Sequence, residues 1–286
     1  MNLMALAQPV SARRASIARA RVPIVHELLK CCRFCAHACG TNRCLGRGLC
    51  QAGSRPRFFS AQVEAGDELE FIPAFAVALS GCDLRCDFCI TGKESWDASA
   101  GSSFEPAEVA CRATDALRNG ARTVMLLGGE PTIHLPAVLE FVSELPEEAT
   151  LVLKTNGYCS DQAREWLDGL FDYWLVDFKF GNNDCAARLA RIPDYLEVLE
   201  QNLRWAHRQA LLVIRHLLLP GHLHCCWEPI ARWIASELPE VKVSLRTSFW
   251  PTWNWARRKG LPRTVTASEK QEAQALGAEL GLAFVE

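Results

Sequence analysis

The stretch Gly81-Cys82-Asp83-Leu84-Arg85-Cys86-Asp87-Phe88-Cys89 follows directly on the apolar run Pro73 to Leu79. An unbroken apolar run reads as a buried strand, which puts three cysteines, spaced Cys-x3-Cys-x2-Cys, just past its carboxyl end. Three close thiolates suit a cubane [4Fe-4S] cluster: a closed electron-transfer cluster takes four cysteines, and three leave one iron free for a small molecule. Zinc is the competing reading. A structural zinc prefers four Cys or His ligands in paired short spacings, and the nearest downstream cysteine, Cys111, falls in a predicted helix, poorly placed to complete such a set.

Beyond this loop the sequence alternates. Further apolar runs occur at Arg122 to Leu127, Thr150 to Lys154, Tyr173 to Phe178, Leu211 to Leu217 and Val241 to Leu245. Between them lie amphipathic helical patterns such as Val138, Phe141, Val142 and Leu145, or Trp227, Ile230, Ala231, Ile234 and Leu238. Repeated strand–helix units predict an α/β fold on a parallel sheet, either doubly wound or a barrel. Each unusual polar group follows a strand end: Gly128-Gly129-Glu130-Pro131, Thr155-Asn156-Gly157, Asp177 with Lys179, and Arg215-His216 with Pro220-Gly221-His222. Barrel enzymes assemble their sites on that face.

Composition bounds the rest. A chain of 286 residues, 49% hydrophobic, has enough sequence for one large core and a small appended module. Fourteen cysteines in a chain of this length, bunched in two clusters, point to metal and a reducing compartment, hence a cytoplasmic protein, rather than to disulfides. A net charge of -2 gives no footprint for nucleic acid. No apolar run approaches the roughly 20 residues that cross a bilayer, so no membrane association is expected. Three parts follow: a basic leader over residues 1–22, a cysteine-rich segment over 23–66 and the α/β body over 67–286. The leader carries Arg13, Arg14, Arg19 and Arg21 without an acid and lacks a continuous apolar region, which argues against secretion; it reads as a poorly ordered or loosely docked segment, with an organelle-targeting peptide as the alternative.

The cysteine triplet, with the aromatic Phe88 before its third member, resembles the signature of the radical S-adenosylmethionine superfamily. Gly128-Gly129-Glu130-Pro131 resembles that superfamily's GGEP motif, which in relatives contacts the methionyl amino group. The resemblance implies a partial (β/α)6 TIM-type barrel, a [4Fe-4S] cluster on Cys82, Cys86 and Cys89, and S-adenosylmethionine as second cofactor.

Within the superfamily, Thr155-Asn156-Gly157 followed by Asp177-Phe178-Lys179 is similar to the TNG and D-x-K segments of pyruvate formate-lyase activating enzyme and other glycyl-radical activases. The resemblance implies that Asp177 and Lys179 hold the cofactor's polar end, with Asn156 nearby. Arg215-His216 and Leu219-Pro220-Gly221 resemble the R-(Y/H)-x-x-x-P-G strand exit of the same enzymes. There His216 either packs on adenine, shapes the substrate side, or is an ordinary inward histidine. Two departures stand out. Lys154 replaces the Asp of the activases' D-T-N-G, which argues against a cation site built on that carboxylate, and the eight-cysteine ferredoxin insertion of some activases is absent from this sequence.

The N-terminal block, with Leu219-Pro220-Gly221-His222, looks like one branch of activating-enzyme-like proteins. Cys32, Cys35, Cys39 and Cys50 form its most natural fourfold ligand set, with Cys31, Cys44 and His37 as alternates, for a second metal that is either zinc or an auxiliary Fe-S cluster. Cys111, Cys159, Cys185, Cys225 and Cys226 read as small buried or incidental residues. The aromatic run from Phe249 through Trp250, Trp253 and Trp255 to Arg257-Arg258 reads as a roof over a substrate cavity or as a packed loop beneath the last helix.

The expected activity is reductive cleavage of S-adenosylmethionine to a 5′-deoxyadenosyl radical, which takes hydrogen from a protein or peptide. The alternatives are the same chemistry on a small metabolite, or a non-catalytic iron–sulfur or zinc module. A flavodoxin- or ferredoxin-type reductant is implied as partner.

Overall fold

A computed structural model describes residues 14–66, 68, 70–257 and 264–285. All six strands expected from the apolar runs are present, parallel and in sequential order: β2 (Ala74–Leu79), β4 (Thr123–Gly128), β5 (Leu151–Thr155), β6 (Tyr173–Asp177), β7 (Leu211–Leu217) and β8 (Lys242–Arg246). Their apolar continuity has a plain cause. Every residue of β2 is buried, as a strand covered on both faces must be. Among the described residues three more strands extend the sheet to nine: β1 (Arg57–Glu64) runs antiparallel to β2, the two-residue β3 (Ser102–Ser103) pairs with β1, and β9 (Ala283–Phe284) follows β8. The order β3-β1-β2-β4-β5-β6-β7-β8-β9 is that of an open α/β sheet, the partial (β/α)6 barrel expected above.

Helices return the chain between parallel strands. α3 (Pro106–Arg118) precedes β4, α4 (Leu135–Glu144) β5, α5 (Asp161–Leu167) β6, and α8 (Glu228–Glu237) β8. Two helices, α6 (Asn183–Ala190) and α7 (Tyr195–Gln209), lie between β6 and β7. α1 (Arg14–Leu28), the one-turn α2 (Lys93–Trp96), the short α9 (Trp253–Arg257) and α10 (Ala267–Glu279) complete the described helices. The helices' apolar faces and the sheet enclose one main core, with a smaller cluster around Met125, Val152, Leu175 and Val213 on the other side of the sheet.

The leader departs from its expectation. Residues 1–13 lie outside the described residues, but from Arg14 the chain is helical and α1 packs on α4. The Arg14 side chain is buried, pairs with Asp172 at 2.9 Å and donates to the carbonyls of Glu147 and Ala149 at 2.7 and 2.5 Å. The carboxylate of Glu147 in turn accepts the backbone N–H groups of Arg14 and Ala15 at 3.1 and 3.0 Å, capping α1 from a remote part of the chain.

Candidate active site

The cysteine loop leaves β2 at the edge of the strand ends that the sequence marked. Cys82 and Cys86 are buried, Cys89 is half-buried, and no cysteine in the chain is in a disulfide. The Leu84 N–H donates to Cys82 Sγ at 3.4 Å, and Cys89 Sγ lies 3.3 Å from Thr91 Oγ1. Burial pushes the Cys82 thiol well above its ordinary value and the Cys86 thiol up to about 12. Metal binding is what converts such thiols to thiolates, with release of their protons.

Gly128 and Gly129 serve this loop. At β4's exit the Gly129 N–H donates to Leu79 O at 2.8 Å and the Glu130 N–H to Gly81 O at 2.9 Å, so the strand end is laced to the loop's first turn. A Cβ on Gly129 would stand 1.9 Å from Gly81 O, and Gly128 sits at φ 127°; both positions exclude a side chain. The close approach is therefore to the protein's own backbone as well as to any ligand. The Glu130 side chain turns inward: it accepts from Thr132 N–H (3.0 Å), Thr155 Oγ1 (2.7 Å) and Asn156 N–H (2.8 Å). Burial, and then the charge of Asp83, raise its pKa to about 7. This carboxyl positions the exits of β4 and β5. Asn156 Nδ2 donates to Asp83 Oδ1 at 2.7 Å and reaches Cys82 Sγ at 3.7 Å, which joins the third strand end to the cysteine loop.

Asp177 and Lys179 stand beside Cys86. Lys179 Nζ donates to Asp177 Oδ2 at 2.6 Å, and Arg215 lies 3.3 Å from Asp177 Oδ1. Glu68, which the sequence reading did not single out, continues the ladder by accepting from Arg215 Nε at 2.9 Å and Ser244 Oγ at 2.8 Å. Burial alone would raise the pKa of Asp177, yet Lys179 and Arg215 hold it well below the carboxylate range. Burial works against the Lys179 charge, and the Asp177 carboxylate more than offsets it, so its pKa is raised. The ammonium is near enough to Cys86 to favour that residue's thiolate. Tyr195, at the start of α7, fixes the backbone here: its hydroxyl accepts from Lys179 N–H at 2.7 Å and donates to Asp177 O at 3.2 Å.

His216 is buried, its Nδ1 bonded to Phe178 O at 2.7 Å, and its ring stacks on Trp227 at 5.3 Å. That face is closed to adenine. A carbonyl partner requires the proton on Nδ1, which leaves Nε2 a buried acceptor without a hydrogen-bond partner. Phe88 packs edge-on against Phe180 and Trp255, at 5.8 and 6.4 Å.

Two distant segments close over the loop. From the N-terminal side His37 Nε2 meets Asp83 O at 2.9 Å, Arg85 donates to Leu49 O at 2.9 Å, and Ala36 N–H donates to Tyr158 O at 3.0 Å. The cysteine-rich segment thus lies on the strand-end face. From the C-terminal side Trp255 N–H donates to Asp87 O at 2.8 Å and Thr252 Oγ1 to Cys89 O at 3.3 Å. The aromatic run is a packed cover on the cysteine loop, with Trp250 exposed; Arg258 lies outside the described residues.

Cys32, Cys35 and Cys50 are buried and Cys39 is exposed. Among the described residues, Cys185, His222, Cys225 and Cys226 are the one group of three or more Cys, His, Asp or Glu residues whose ligand atoms all lie within 4.8 Å of one another. Neither the Cys82 triplet nor the N-terminal set is drawn together as for a single ion. A cubane separates its thiolates because each binds its own iron. The cysteine triplet at the strand ends and the cation beside Cys86 fit a cluster with a polar ligand alongside.

A sequence-family comparison decides the matter: residues 77–234, more than half of the chain, match the model of the radical SAM superfamily. The chain belongs to the radical SAM superfamily. Membership carries with it a [4Fe-4S] cluster and S-adenosylmethionine, and the fold agrees. An uncharacterised protein of Methanocaldococcus jannaschii is 29% identical over 93% of this chain and 79% of its own length. A 7-carboxy-7-deazaguanine synthase of Methanothermobacter thermautotrophicus is 33% identical over 37% of this chain and 42% of its own. Among solved structures, Streptococcus suis SuiB bound to precursor peptide SuiA shares the fold, with TM-score 0.53 at 13% identity over 71% of this chain and 46% of that one.

One buried group of this radical SAM site gives a pH test. His134, in the turn after Glu130, bonds Ser80 O through Nε2 at 2.8 Å; burial, then the charge of Arg43, lower its pKa to about 3. A depressed histidine favours the fold above its unfolded pKa and loses that share as pH falls toward the folded value. Between pH 7 and pH 5 the loss is about 2 kcal/mol. Urea midpoints of metal-free protein at the two pH values are expected to differ less in His134→Gln. An equal difference in both proteins removes His134 as the source.

Proposed function

We propose that this radical SAM enzyme takes a hydrogen atom from a protein or peptide, as an activating-enzyme-like protein does. The observation that carries the cofactor half of this reading is the Lys179–Asp177–Arg215 ladder set against Cys86 at the strand ends. Its charges suit the zwitterionic end of S-adenosylmethionine. When bound, the cluster and that cofactor supply a 5′-deoxyadenosyl radical through one-electron reductive cleavage of the sulfonium. Cys82, Cys86 and Cys89 would hold the cluster, and Lys179 and Asp177 would orient the carboxylate and amino group. The Gly128-Gly129-Glu130 backbone would approach the same end. Phe88, Trp255 and the N-terminal segment keep water from the loop.

The substrate half is supported by the D-x-K and R-H-x-x-x-P-G similarity to glycyl-radical activases, and by a fold shared with an enzyme captured on its precursor peptide. The reductant we infer is a flavodoxin or ferredoxin, and the compartment the cytoplasm, because all fourteen cysteines are free thiols. An extract from cells grown on deuterated medium, divided by a filter that retains proteins, tests the substrate class. Deuterium is expected to enter 5′-deoxyadenosine from the retained fraction; entry only from the filtrate would make the substrate a small metabolite.

We also place a second metal on Cys32, Cys35, Cys39 and Cys50. Their thiols are not gathered to single-ion distance, which favours an auxiliary iron–sulfur cluster over zinc. Folded protein with Cys82, Cys86 and Cys89 all changed to Ala should retain about four irons per chain, on that cluster's stoichiometry. Iron-free folded protein would sink this assignment.

A further inference from the structure

We infer that Cys185, His222, Cys225 and Cys226 form a closed binding site for one zinc-type divalent ion, separate from both cysteine clusters. Cys185 is in the first turn of α6, and the other three lie in the turn between β7 and α8, so the fold brings together what the sequence keeps apart. The distances describe a tetrahedron. His222 Nδ1 is 3.6 Å from Cys185 Sγ, 3.3 Å from Cys225 Sγ and 3.4 Å from Cys226 Sγ. Cys225 Sγ is 3.9 Å from each of the other two sulfurs. A zinc with Zn–S of about 2.3 Å and Zn–N of about 2.0–2.1 Å spaces tetrahedral ligands about 3.8 Å (S to S) and about 3.6 Å (S to N) apart. A cubane needs its thiolates further apart, and a disulfide joins sulfurs at about 2.05 Å; the observed spacing is neither. Three thiolates and one imidazole leave no open coordination position, so the site is structural.

The surroundings are built for sulfur carrying charge. Asn182 Nδ2 donates to Cys185 Sγ at 3.4 Å and to the Cys225 carbonyl at 2.6 Å, and Arg188 lies 3.6 Å from the Cys185 sulfur. Such donors steady metal-bound thiolates, and the Arg188 cation offsets the net negative charge of a three-thiolate site. Gly181 lets the two segments meet: a Cβ there would stand 2.4 Å from the Cys226 carbonyl oxygen. The ion would pin the segment just beyond Lys179 to the turn that follows His216. It would tie together two strand exits of the radical site without entering that site.

Metal analysis of wild-type protein purified without chelator should find one zinc beyond any held elsewhere, on the one-ion stoichiometry of such sites. That zinc should be absent from Cys225→Ser/Cys226→Ser and present in Cys32→Ser/Cys35→Ser. Cobalt(II) loaded in its place should give the intense visible bands of a tetrahedral thiolate site. Should the double variant fail to fold, wild-type protein still decides. Alkylation of half-buried Cys225, read by mass spectrometry, should be slowed at least about tenfold by metal and restored by chelation. Zinc content unchanged in folded Cys225→Ser/Cys226→Ser, or alkylation indifferent to metal, would overturn the inference.

Discussion

Cys86→Ala is expected to reduce 5′-deoxyadenosine formation by at least about three orders of magnitude, the scale of losing a group that the chemistry requires. Cys86 is the buried middle cysteine of the triplet proposed to hold the cluster, and no other cysteine of the loop stands in reserve. With two thiolates left, a cluster has no stable seat and the cofactor has no iron to chelate. Chromatographic assay of 5′-deoxyadenosine and methionine after anaerobic reconstitution and chemical reduction measures it. Cleavage at the wild-type rate would remove the radical assignment from this loop.

The second large effect belongs to Lys179. Replacing it with Ala should weaken S-adenosylmethionine binding by about ten- to hundredfold, since a hydrogen bond to a charged group is worth about 1.5–3 kcal/mol and about 1.4 kcal/mol is tenfold in Kd. The fold should tolerate the change because Asp177 keeps Arg215 at 3.3 Å. The cluster's visible absorption should therefore persist while calorimetric affinity falls. Unchanged affinity would make Lys179 only the structural partner of Asp177, and loss of the absorption would assign it to cluster retention instead.

The six parallel strands were legible because a strand buried on both faces must be apolar throughout. β1 was not, because its residues are half-buried to exposed and alternate weakly, and its pairing is antiparallel. The α1 helix was hidden for another reason. Its arginines look like a solvated leader until Arg14 is seen buried against carbonyls and a carboxylate more than a hundred residues away. At the site, the residue types at strand ends were readable, but the destination of a side chain was not: Glu130 reads as a ligand contact and folds into a clamp between two strand exits. The Cys185 cluster was missed because one ligand stands 37 residues before the next. Its one local signal, His-x-x-Cys-Cys at 222–226, supplies three ligands and needs the fold to find the fourth.

The cover over the cysteine loop also sets an order of events in the making of the protein. Cys82, Cys86 and Cys89 leave the ribosome long before Thr252 and Trp255, whose bonds to Cys89 O and Asp87 O shut the loop from outside. The nascent chain thus presents three reachable thiols, and the finished chain presents a lid. Iron and sulfide delivered while the C-terminal segment is still undocked meet an open receptacle. Delivered afterwards, they meet a loop already bonded along its backbone to Thr252 and Trp255. Maturation and final folding of this enzyme are in that sense one process, with the segment from Thr252 to Trp255 as the latch.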